Sequence, residues 1–319
     1  MITFLSGGTG TPKLIQGFRR IIDDSEIAVI ANSADDIWMY GLYISPDIDT
    51  LIYLFSGLLD EDKHWGVEED SFYTLDFLRE LEDNTWFNLG DKDLGLHLFR
   101  TKKMEEGYNQ REIIQEISKK LGIRATILPS TNSHIETRIV TSNDKDIHFQ
   151  EFWVKHRGEI SIKKVYFQGI ETAKIPAEII QILEKSELVI VGPSNPITSI
   201  KPILKLKEIR KWLEINREKC WVISPIIGNK PISGPTSKLM TIENLETSPI
   251  EIARIYKKLC KTIVIDVTDK NLQEIIRKET GMNVITENIL FKNVNIAQKL
   301  AETILDKGLN NSMNFKSQI

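Results

Sequence analysis

The sequence predicts an α/β fold: a doubly wound, mostly parallel sheet with an inserted helical and small antiparallel β subdomain. Three observations carry this expectation. Short β-rich runs recur at Ile2–Ser6, Ile27–Ala31, Leu188–Val191, 221–224 and 262–265, each bounded by turn residues or followed by a helical pattern. The first run reaches the second through a glycine loop and a helical pattern over 12–22, as in a βαβ unit. The middle of the chain then changes character: 49–121 reads as several helices, including 51–58, 71–81 and 110–121, and 125–167 alternates in a β manner.

The expected division is a nucleotide-binding core at 1–48 and 170–306, an inserted region at 49–169 covering the site, and a polar tail at 307–319. Hydrophobic residues make up 41% and charged residues 27% of the 319, a balance that suits a packed core and not a disordered chain. The net charge of -4 leaves no basic surplus for general nucleic-acid binding. Apolar runs are strand-sized and too short to span a bilayer. Met1-Ile2-Thr3-Phe4-Leu5-Ser6 reads as a strand, not a leader. Cys220 and Cys260 have neither metal-ligand spacing nor a disulfide framework, so the expected compartment is the cytoplasm.

Between the first strand and helix stands Ser6-Gly7-Gly8-Thr9-Gly10-Thr11-Pro12-Lys13. Glycines let a backbone approach a ligand, and a helix start offers unpaired N–H groups with a partial positive charge. Gly8, Thr9 and Gly10 are therefore phosphate candidates, and Lys13 could add a cation. Two familiar templates fail. A P-loop needs Ser or Thr after the lysine, where Leu14 stands, and a dinucleotide fingerprint wants glycine at position 13. A plain structural turn is the alternative.

Asn32-Ser33-Ala34-Asp35-Asp36 follows the second strand, where open α/β sheets place ligands. Its acids either hold an ion or ligand hydroxyl, or cap a helix. Ser45-Pro46-Asp47-Ile48-Asp49-Thr50 leads into an apolar helix, and Asp91-Lys92-Asp93 repeats the Asp-x-Asp spacing. Either pair could simply cap. Two such pairs beside a phosphate-type loop point toward magnesium-assisted phosphoryl chemistry, with Asp47, Asp49, Asp91 and Asp93 as metal candidates. The loops 192–199 and 224–229 follow two further strands and supply hydroxyls and amides, Ser194, Asn195 and Thr198 among them. The five histidines are scattered without zinc spacing. Lys155-His156-Arg157 suits a phosphate, although short basic runs are usually solvated faces.

These motifs together resemble the 2-phospho-L-lactate transferases of coenzyme F420 biosynthesis. The resemblance rests on the 6–14 glycine loop, 45–50, Leu89-Gly90-Asp91-Lys92-Asp93, 192–196, 224–228 and the stretch 149–158, in order along nearly the whole chain. It implies transfer of a phosphoacid, lactyl or enolpyruvyl, from a guanosine diphosphate-linked donor to the deazaflavin Fo. Coenzyme F420-0, or its dehydro form, and GMP would be the products. It also implies magnesium, small-molecule substrates and a homodimer. Asn32, Asp35, Ser194, Asn195 and Thr198 would help hold the nucleotide. Asp49 matches a family contact to Fo. A second falls at Asn88, where the family usually has lysine, so hydrogen bonding is kept and a charge lost; Lys92 lies close by. Asp47 and Asp49 are the expected catalytic acids. The alternative is a related non-enzymatic regulator that binds a nucleotide sugar; its Asp-Asp-Gly-Gly pattern is absent here, since Ile37-Trp38 follows Asp35-Asp36. A nicotinamide-dependent oxidoreductase is disfavoured by the missing third glycine.

Overall fold

The computed structural model describes residues 1–316. Seven strands form one central sheet: β1 (Ile2–Ser6), β2 (Ile27–Ala31), β3 (Thr126–Pro129), β4 (Leu188–Val191), β5 (Cys220–Ile223), β6 (Thr262–Asp266) and β7 (Asn283–Glu287). Their order is β7-β6-β5-β4-β1-β2-β3, and every pairing is parallel. The inner strands are continuous apolar runs because both faces are covered. Alternate residues serve opposite faces: Phe4 and Val29 pack on one side, Leu5 and Ile30 on the other. The doubly wound expectation holds.

Two core strands depart from the sequence reading. Thr126–Pro129 was expected within the small antiparallel region, yet it pairs with β2 in the main sheet. Asn283–Glu287 was not anticipated and pairs with β6. Both are edge strands, where one side is left unpaired and the burial signal is weaker.

Helix α1 (Gly10–Phe18) follows β1, and α2 (Pro46–Ser56) follows a hairpin of Ile37–Met39 with Leu42–Ile44. Helices α3 (Tyr73–Leu81), α4 (Asp91–Glu105) and α5 (Gln110–Lys120) complete the helical part of the insertion. Of these three, α5 carries a full capping box, Asn109 with Glu112. A separate antiparallel sheet has Glu136–Thr141 between Asp146–His148 and Ile162–Gln168. The last helix runs Val294–Lys316, so most of the expected polar tail is helical; 317–319 lie outside the described residues. Among the described residues no helix is long and apolar enough to cross a membrane.

Strand order reverses between β1 and β4: the chain leaves β1 toward β2 on one side and later builds outward from β4 on the other. At such a switch point the loops leaving the two strands diverge and open a crevice at the carboxyl ends. Here those loops are the glycine loop and 192–199.

Candidate active site

The two switch-point loops interlock. A Cβ on Gly10 would overlap the Pro193 carbonyl oxygen, and one on Gly192 would overlap the Thr11 hydroxyl. Thr11 Oγ1 lies 2.7 Å from Ser194 Oγ, and the Ser194 hydroxyl donates to the Gly7 carbonyl. Gly8 has φ +59°, a left-handed conformation that glycine adopts without a Cβ penalty. Ser194 thus serves first as the bolt between the loops.

Above them opens a cavity of about 630 Å³. Gly8, Thr9, Gly10, Asp35, Asp47, Ser194, Asn195 and Thr198 all line it, so the structure gathers these sequence candidates in one place. Asp47 sits in the first turn of α2, where Pro46 occupies an early helical position and the helix dipole favours an acid. Its Oδ1 accepts from Gly8 N at 2.6 Å and its Oδ2 from Asn32 Nδ2 at 3.0 Å. Burial, more than the nearby charge of Asp49, pushes the Asp47 carboxyl up to about 6. Asp35 is buried opposite; desolvation first, then the Asp47 charge, holds its carboxyl well above the usual range. Its Oδ1 has no hydrogen-bond partner, and neither has the buried Thr198 hydroxyl. Both residues line the cavity, and the two atoms themselves are buried polar groups without a partner, a cost that calls for an explanation.

Other candidates stand elsewhere. Asn32 lies beneath the cavity, holding Asp47 and accepting from Ala34 N at 3.0 Å. Asn195 lines the cavity, but its oxygen caps the turn Pro196–Ile200 through Ile197 N and Thr198 N. Lys13 is half-buried on α1 and is not among the lining residues; burial lowers its pKa.

Asp49 points away from the cavity lining and into the protein. Both its oxygens take hydrogen bonds from the buried Arg100 guanidinium, and its Oδ2 also accepts from Ser45 N at 3.2 Å. Its neighbourhood is a buried polar network: His97 Nδ1 lies 3.2 Å from Arg100, and His97 Nε2 lies 3.1 Å from Asp93. Asp93 in turn accepts from the Tyr53 hydroxyl. Asp36 belongs to the same interior, accepting from Gln110 at 2.8 Å and from Tyr43 at 3.2 Å. Desolvation pushes its carboxyl up to about 8.

The Asp91-Lys92-Asp93 run builds a helix junction. Asp91 accepts from Ser71 Oγ, Tyr73 N and Thr74 N, capping α3 from outside its own chain segment. Asp70 returns the favour to α4 through Lys92 N and Asp93 N. Gly90 leaves the room this needs, since a Cβ there would overlap the Asp70 carboxylate. Lys92 Nζ is engaged by the carbonyls of Glu68 and Glu69 at 3.1 and 3.3 Å. Asn88 does line the cavity, its oxygen accepting from Arg79 at 2.8 Å. The four aspartates proposed for the metal are therefore not one cluster. Among the described residues no three His, Cys, Asp or Glu side chains gather as metal donors.

Sequence reading missed part of the wall. Lys63 and Trp65 come from the loop between α2 and α3, and Trp153 and Val154 from the turn Glu151–Lys155. Trp65 and Trp153 are 47% and 39% exposed, a high value for the largest apolar side chain and a signal visible only in three dimensions.

The family described as "2-phospho-L-lactate transferase CofD" matches residues 2–302. A curated 2-phospho-L-lactate transferase of Methanocaldococcus jannaschii is 38% identical over 309 residues, 96% of this chain and 97% of that protein. That of Methanospirillum hungatei is 40% identical over 308 residues, covering 96% and 100%. Among solved structures, a UPF0052 family member from Bacillus halodurans superposes with a TM-score of 0.63 at 17% identity, covering 95% of this chain and 99% of that one. At that identity the likeness speaks for the fold alone. Matched from end to end by the family and by its curated members, this chain belongs to the 2-phospho-L-lactate transferases, a family of enzymes.

Proposed function

We propose that the enzyme transfers a phosphoacid, 2-phospholactyl or its enolpyruvyl analogue, from a guanosine diphosphate-linked donor to the deazaflavin Fo. The observation that carries this reading is the cavity itself. A glycine loop at a helix start and two buried, mutually repelling carboxylates line it together at a switch point, one of the acids held by Gly8 N. A diphosphate with its cation satisfies both sides at once.

Magnesium would be held by Asp47 and Asp35. Both carboxylates line the cavity, Asp35 Oδ1 lacks a partner, and burial disfavours leaving two negative charges uncompensated. Bound there, the ion would neutralise charge on the diphosphate. Thr9 and Gly10 would bind the phosphates beside Gly8, whose N–H holds Asp47, and Thr198, whose hydroxyl is unpartnered, would bind the nucleotide. A hydroxyl of Fo attacks the phosphorus that bears the acid, the bridging P–O bond breaks, and GMP leaves with the electron pair. The hydroxyl passes its proton to water as the new P–O bond forms. Such a step depends on alignment and charge neutralisation more than on a strong base. Asn88, oriented by Arg79, offers its amide N–H groups to the acceptor. Asp49 supports the acceptor side indirectly, by fixing the start of α2 through Arg100.

The experiment is incubation of purified protein with Fo, magnesium and each guanosine donor, read by mass spectrometry. A phosphoacid adduct of Fo together with GMP is expected. No adduct with either donor overturns the reading.

A further inference from the structure

We propose that Arg157 recognises the carboxylate of the transferred phosphoacid, an inference that rests on the transfer reading above. The cavity is divided by charge. Its floor carries the carboxylates of Asp35 and Asp47, which suit a cation and repel an organic acid. The glycine amides suit phosphate. An acid group on the transferred unit therefore needs a cation of its own, and the lining residues include two, Lys63 and Arg157.

Lys63 is already engaged: its Nζ lies 2.6 Å from Asp60 Oδ2 and sits over the Trp65 ring. Arg157 has no acidic partner among the described residues. Its two basic neighbours separate from it, since Lys155 and His156 both face Glu151, at 3.4 and 3.7 Å. Of the run 155–157, only Arg157 lines the cavity.

The backbone beneath this exposed side chain is firmly held. Arg157 has φ +52°, uncommon for a residue with a side chain, and Gly158 follows at +68°. Such a conformation persists where surrounding contacts over-determine it. Here Gly158 N donates to Phe152 O at 2.9 Å, and Lys238 Nζ donates to the carbonyls of Gly158, Glu159 and Ile160 at 2.6, 3.0 and 3.3 Å. The Trp153 ring lies against Gly158. An unpaired guanidinium on a fixed platform is suited to grip a carboxylate with two parallel hydrogen bonds.

The test compares two ligands that differ by the lactyl group and its carboxylate: lactyl-2-diphospho-5′-guanosine and GDP. Affinities would be measured by calorimetry with magnesium for the unchanged enzyme, Arg157→Gln, Arg157→Lys and, as a control, Lys63→Met. Arg157→Gln should weaken the donor roughly 10- to 100-fold, the range for one charge-assisted contact, and leave GDP unchanged. Arg157→Lys should recover part of the loss, and Lys63→Met should cost the donor less than Arg157→Gln does. Equal loss for both ligands, or none for either, overturns the assignment while transfer by the unchanged enzyme stands. Absence of any transfer to Fo by the unchanged enzyme removes the transfer reading, and this proposal with it.

Discussion

The starts of α2 and α4 carry the same Asp-x-Asp spacing and use it differently. At α2 the first acid turns into the cavity, where it holds Gly8 and Asn32, and the second turns inward to Arg100. At α4 the first acid caps a neighbouring helix and the second meets Tyr53 and His97. What separates them is position. Helix α2 begins beneath the switch point, whereas α4 begins at a junction with α3. Spacing alone thus describes a helix start, and only the surroundings of that start make it a binding site.

The largest expected effect tests the inward acid of α2. Asp49→Ala leaves the Arg100 guanidinium buried without its carboxylate, and removal of one partner of a buried pair costs about 3–5 kcal/mol. Denaturant unfolding would measure it; a loss below about 1 kcal/mol would show that Arg100 finds another counter-charge. Next comes the cavity acid. Asp47→Ala should lower turnover by about 10²–10³-fold, the scale of losing one preorganised electrostatic contact, while the protein stays folded by circular dichroism. Asp91→Ala sharpens the contrast from the other side. It should lower the melting temperature by roughly a degree or two, as for a lost helix cap, and leave magnesium affinity as it was. A fall in magnesium affinity as large as that of Asp47→Ala would collapse the distinction between the two helix starts.

The smallest effect concerns the wall that covers the site. His148 is held neutral by burial, which pushes its pKa down to about 4. Its Nε2 lies 3.1 Å from Asp36 O, and its Nδ1 accepts from Gln150 N. A depressed folded value means that its contribution to stability is full above pH 6.5 and is lost as pH falls from there toward 4. His148→Gln removes the titration, so melting curves of the variant should fall less steeply over that window. Near pH 5.5 the difference should amount to about 1–2 °C, the size expected for about 1 kcal/mol in a chain of this length. Parallel curves would place the acid sensitivity in other groups.

Much of the central sheet was legible because strands such as Leu188–Val191 and Ile27–Ala31 are unbroken apolar runs, the mark of burial on both faces. Thr126–Pro129 was hidden by its length and terminal proline, and Asn283–Glu287 by the polar residues an edge strand tolerates. At the site, Gly8 and Asp47 stand at a strand end or helix start, positions with local signatures. Trp65 has none, and Arg157 stood out only within a short basic run: their place on the wall depends on how the loop after α2 and the small antiparallel sheet settle over the core. The direction of Asp49 was equally invisible, since it depends on Arg100, fifty-one positions later.

The mutual fit of the Gly10 and Gly192 loops has a practical consequence. Neither can be grafted alone into another scaffold, because each is the mould in which the other is cast. Protein engineers wishing to transplant this anion cradle would have to move both segments together, with the spacing of β1 and β4 intact. Attempts to diversify one loop in a library should yield survivors only where the opposite loop changes in step.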